Sequence, residues 1–162
     1  MNLSDELNKC SNYSCIFKLV KRGVKDSIGK RRVGLSLGLT DLPNHVGAFH
    51  QVGSNFIVMN KNLLKEIRKS NNKKLINAYI FHVLLHEYLH SLGYINEQEV
   101  RILSHEISKN TIGSEHPATL IARYGIGSVF SNMKLVQVNR PKKLGEIEIV
   151  DNFENENLSY IG

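Results

Sequence analysis

Tryptophan is absent from this 162-residue chain, proline occurs 3 times, and cysteine only twice. No apolar run reaches the roughly 18 residues needed to cross a bilayer, which excludes a membrane-spanning helix. Two cysteines exclude a disulfide-built scaffold and a four-cysteine metal knuckle. Cys10 and Cys15 are close in sequence, so a bridge would close a very small loop, and they are expected as reduced thiols without chemistry. Basic residues are missing from the last 19 positions, Leu144–Gly162, which carry 5 acids. All 21 Lys and Arg fall at or before Lys143, with 10 acids, so the body carries +11 against −5 in the tail and +6 overall. The first ten residues, MNLSDELNKC, are acidic where a signal peptide would be basic, and no apolar stretch follows. A cytoplasmic protein without membrane contact is expected. The basic body can draw acidic substrates or nucleic acid at long range, although charge alone selects neither.

The length suits one compact domain, and 41% hydrophobic with 22% charged residues is ordinary globular composition. Residues 1–140 are read as that domain and 141–162 as an acidic, mobile tail, with folding back over the basic body to block a cleft as its hypothetical role. No internal repeat interrupts the chain. Leu3, Leu7, Ile16, Phe17, Leu19 and Val20 recur at near-helical spacing, predicting a helix over the first 25 or so residues. Alternation in Val33–Thr40 predicts a half-buried strand, and Asp41–Asn44 a turn. Val46–Val52 and Phe56–Asn60, separated by Gly53-Ser54-Asn55, predict a β-hairpin. Asn60 is a candidate cap for a helix over Lys61–Lys69. From Lys74 to Leu92 apolar residues cover most faces of about five helical turns, so this helix must be largely buried. Gly93 ends it, and Asn96 caps an antiparallel partner over Glu97–Lys109. Pro117 starts a helix through Tyr124, and 125–138 is ambiguous. The whole reads as α+β: a small twisted sheet with an edge hairpin, packed on one long helix and followed by further helices.

Polar residues break that apolar helix at one place, His86-Glu87-Tyr88-Leu89-His90. Residues four apart share a helix face, so both imidazoles can reach one zinc ion. Glu87 stands beside them without ligating, placed to take a proton from a water the ion activates. Buried polar groups need partners, and a metal supplies them. His82 extends the stripe, but three such rings span about 12 Å along the axis, too far for one ion. His82 is therefore read as a core or rim histidine, and His45 and His50 as hairpin surface residues. Tyr94 and Tyr124 are possible oxyanion donors, more simply packing residues.

On this motif, from about Asn44 to Gln98, the chain resembles the zincin superfamily of metallopeptidases, above all its minimal single-domain archaeal forms, whether gluzincin-like or metzincin-like. The resemblance implies one Zn2+ held by His86 and His90, Glu87 as general base, and peptide-bond hydrolysis. It also implies an edge strand that binds extended substrate, a role falling on Phe56, Ile57 and Val58. HEYLHSLGYIN follows the metzincin spacing but ends on Asn96, a poor zinc ligand and already a helix cap. The third ligand is therefore sought in His116 first, then Glu99, then Asn96, with Glu97, His105, Glu106 or two-histidine binding remaining. The expected partner is a peptide or protein, with the oligomeric state open. Two rivals stand beside this reading. HSLGY also resembles a stretch of the bacterial endoribonucleases that mature ribosomal RNA, although these lack the Glu after the first His. The other rival is a catalytically inactive zinc-binding interaction module.

Overall fold

A computed structural model describes residues 2–130 and 146–154. Among them are six α-helices and a mixed four-stranded sheet, the α+β class read from the sequence. The central element is the long apolar helix α4 (Lys73–Ser91), in which Ala78, Ile80, Phe81, Leu84, Leu85, Tyr88 and Leu89 are all buried. An amphipathic helix would leave one face wet; this one is enclosed by α1 (Leu3–Lys9), α2 (Tyr13–Ile28), α5 (Glu97–Ile112), α6 (Pro117–Tyr124) and the sheet.

The strands are β1 (Ser36–Thr40), β2 (Ala48–His50), β3 (Phe56–Asn60) and β4 (Glu148–Ile149), in spatial order β2-β3-β1-β4. The predicted hairpin is present: β2 runs antiparallel to β3, with Phe49 opposite Val58. β3 then lies parallel to β1 over five residue pairs, so both its edges are occupied. This corrects the expectation that Phe56, Ile57 and Val58 form the open edge. Ile57 and Val58 are buried, and on this side of the sheet the edge strand among the described residues is β2. Asn60 fixes the approach to that edge. Its Oδ1 accepts from the backbone of Leu42, Asn62 and Leu63, capping α3 (Lys61–Arg68), while its Nδ2 donates to the carbonyls of Leu42, Pro43 and Val46. A fully buried amide thereby ties the 42–46 loop to the start of a helix.

Three further expectations change. The single N-terminal helix is two, because the side chains of Asn2 and Asn12 each cap one. Cys10 and Cys15, expected as free thiols, are disulfide-bonded across that break, with Cα atoms 5.6 Å apart, inside the bonding range. The oxidised pair removes one argument for a reducing compartment; no helix among the described residues is long and apolar enough to cross a membrane. The tail also departs from its predicted mobility over 146–154. β4 pairs with β1 at the sheet edge opposite β2, Phe153 stacks on Phe17 at 4.4 Å, and Glu154 is buried against Lys21 at 2.9 Å. Glu154 also accepts from the backbone N–H groups of Gly34 and Leu35, which explains why β1 begins at Ser36 and not Val33. Residues 131–145 and 155–162, including part of the ambiguous 125–138 stretch, lie outside the described residues.

Candidate metal centre

His86, Glu87 and His90 sit in the last two turns of α4, and their ligand-capable atoms lie within 4.8 Å of one another. Gly93 ends the helix with φ of +107°, a conformation L side chains rarely adopt. The reversal returns the Tyr94 carbonyl to 2.7 Å from His90 Nδ1. A carbonyl only accepts, so Nδ1 must carry the hydrogen, and His90 Nε2 presents its lone pair when the ring is neutral.

The turn after Gly93 brings the first residue of α5 over the two rings. One carboxylate oxygen of Glu97 lies 3.0 Å from His86 Nε2 and the other 2.7 Å from His90 Nε2. Lone pairs of a neutral imidazole and a carboxylate repel at such distances. Each contact therefore holds a hydrogen on the ring nitrogen, as in a hydrogen bond from His86 Nε2 to the carboxylate, or places the atoms where a metal ion could bridge them. Tetrahedral ligands at zinc distances are about 3.4 Å apart, so Glu97 need withdraw by less than about 1 Å to fit an ion. Its side chain is 65% exposed and free to do so. Two nitrogens and one carboxylate form a donor set suited to zinc, with room for a fourth ligand from solvent or substrate.

The other proposed third ligands are placed elsewhere. His116 caps α6: Nδ1 accepts from the Ala118 N–H at 3.1 Å, and Nε2 meets Asn8 Oδ1 at 3.0 Å. It feels the charge of Lys74, at the start of α4, about 18 Å along the axis from His86. Both nitrogens are engaged, and His116 does not join the cluster. Asn96 caps α5 through the Glu99 N–H. Glu99 is two residues beyond Glu97, about 200° around the helix, and lines a separate surface hollow with Ile102 and Glu106. His105 is about 12 Å further along α5. Sequence reasoning gave Glu97 only a marginal place, because spacing does not reveal which face of α5 turns towards α4.

Glu87 is buried, and its carboxylate accepts the His50 backbone N–H. Burial pushes its pKa up to about 7 and the Glu97 charge adds to this, while His90 and the His50 N–H pull it down. Burial likewise lowers His86 against the opposing pull of Glu97. Burial alone would raise Glu97, yet the His86 and His90 imidazoles hold it below the usual carboxylate range. His82 lines the cleft with its ring 6.2 Å from that of His86, and burial, then His86, drives its pKa to about 3.

The centre opens into a cleft of about 540 Å³ walled by Gly47 and Ala48 on one side and by α4, α5 and the end of α6 on the others. His45 and Tyr124 also line it, whereas the Tyr94 ring stacks beneath Lys30. The Asn60 N–H bonds the Gly47 carbonyl. By antiparallel alternation Phe49 is then the next residue bonded to β3, and Ala48 and His50 direct their backbone groups away from it. His50 N–H spends this outward direction on Glu87. The β2 edge, unpaired among the described residues, thus runs along the same cleft as the cluster. Comparisons with protein-family models, with curated proteins and with solved structures returned no match to this chain.

Proposed function

We propose that this chain is a zinc-dependent metalloendopeptidase, with His86, His90 and Glu97 as metal ligands and Glu87 as general base. The observation that carries the reading is the convergence of the two imidazole nitrogens and the Glu97 carboxylate, with the buried Glu87 carboxylate within 4.8 Å of the ligand-capable histidine atoms. Zinc bound there would supply Lewis acidity, polarising a carbonyl and acidifying a water molecule. The chain's own groups do the rest. Glu87, held by the His50 N–H, takes a proton from the attacking water and returns it to the leaving amine. Ala48 and the His50 carbonyl offer edge-strand groups that would align an extended peptide across the cleft. This strand replaces Phe56–Val58 in the substrate role and favours peptide over nucleic acid, whose backbone has no matching N–H and C=O repeat.

The test is to load the purified chain with zinc and offer casein and structured RNA in parallel. Casein hydrolysis that falls by about 10²-fold or more in Glu87→Gln supports the peptidase reading. RNA cleavage with the same dependence would assign the endoribonuclease-like alternative. Stoichiometric zinc without hydrolysis of either would leave the inactive binding module.

A further inference from the structure

Two arginines share the cleft with the metal cluster, Arg101 on α5 and Arg123 near the end of α6. Neither has an ion-pair partner among the described residues; the Arg123 guanidinium lies only against the Tyr124 ring, 5.4 Å from its centroid. Three exposed cations elsewhere do pair with carboxylates, in Arg22–Glu6, Lys61–Glu148 and Lys69–Glu66. The cleft's own acids, Glu87 and Glu97, are both occupied by the metal cluster. A dication with two guanidinium groups would exceed two carboxylates by two positive charges. Arg101 follows Glu97 by one helical turn on the same face, so its charge opposes any cation bound at the histidines. That cost is offset if an anionic group of the substrate enters with the peptide.

We propose that Arg101 and Arg123 select peptides bearing a Glu or Asp side chain close to the scissile bond. The inference rests on the peptidase reading above. One helical turn is about 5.4 Å and an extended peptide advances about 3.3 Å per residue, which puts the acidic side chain within about two residues of the cleaved bond. Guanidinium forks pair carboxylates in two-pronged fashion, and the free edge of β2 fixes peptide register on the opposite wall.

The experiment measures binding, so it does not depend on turnover. Zinc-loaded full-length Glu87→Gln protein is titrated with fluorescent peptides that differ only in Glu or Gln at positions flanking a central apolar pair. The Glu peptide is expected to bind about tenfold tighter, an advantage shrinking with salt. Adding Arg101→Gln or Arg123→Gln should remove most of that advantage and leave Gln-peptide affinity unchanged. Lys65→Gln, on the exposed face of α3, should alter neither. Both arginines are exposed, and circular dichroism checks that the variants fold. Equal affinity for the two peptides, retention of the preference in both arginine variants, or its equal loss in Lys65→Gln overturns the proposal. So does single-stranded RNA of equal charge that displaces the peptide through the same arginines. Casein hydrolysis by the wild-type chain reports separately on the peptidase reading: activity without charge preference sinks this inference alone.

Discussion

Replacing Glu97 with Ala tests the proposed third ligand. The carboxylate spans both imidazoles, 3.0 Å from one and 2.7 Å from the other, and no other acid of α5 faces them. Changing a group that merely orients a ligand weakens metal binding by about 10- to 100-fold. Removing a direct ligand should therefore cost at least about 100-fold, about 2.7 kcal/mol. The assay is competition for zinc against a chromophoric chelator at neutral pH, with Glu99→Ala and His116→Asn in parallel. Glu99→Ala and His116→Asn should stay within about threefold of the wild type. Because Glu97 is largely exposed, its loss should scarcely alter the metal-free protein. The thermal shift should separate the two effects: zinc at about 100 times its dissociation constant stabilises the wild type by about 2.7 kcal/mol, and the variant should gain little at the same concentration. Wild-type affinity in Glu97→Ala, or a collapse of affinity in His116→Asn, would refute the assignment.

Three other expectations follow from the same geometry. Gly93→Ala meets no atom within 4 Å, so its cost lies in the positive φ; about 1 kcal/mol of stability should be lost, with about tenfold weaker zinc binding as the Tyr94 carbonyl shifts from His90. Glu154→Gln removes the negative charge from the buried Lys21–Glu154 ion pair and should cost about 3 kcal/mol in denaturant unfolding, so removal of residues 146–162 should destabilise the protein instead of activating it. A gain in hydrolysis on that truncation would restore the blocking role. His116 has its pKa lowered from 6.5 to about 4, by burial first and Lys74 second, so stability present above pH 6.5 is lost as pH falls towards 4, where the unfolded chain binds the proton and the folded one does not. For this buried ring the full shift corresponds to about 3 kcal/mol. His116→Asn can cap without titrating, so in metal-free protein the wild-type-minus-variant difference should change by that amount between pH 7 and 4; a flat difference would show the ring is not held neutral.

The central helix and its motif were legible because few sequences put two histidines and a glutamate inside five apolar turns, and burial of those groups demands partners. The hairpin and Asn60 were legible from local turn and cap chemistry. Strand order was not: β2 and β3 carry similar apolar patterns, and only the parallel pairing of β3 with β1 decides which one is the edge. His116 looked like a ligand because a histidine before a proline-led helix has the right chemistry; the same position makes it a cap. Glu97 and Glu99 are equivalent by spacing, and the rotation of α5 about its axis, set by burial of Val100, Ser104 and Ile107, separates them. The docking of Glu154 on Lys21 spans 133 residues and leaves no local signal.

Anomalous diffraction at the zinc edge from crystals of the zinc-loaded chain addresses the metal assignment most directly. The account expects one strong peak about 2.0–2.2 Å from Nε2 of His86, Nε2 of His90 and a carboxylate oxygen of Glu97, with Glu87 nearby but not ligating. A peak bound through His116 or Glu99, a fourth protein ligand closing the site, or no peak at these residues would contradict it.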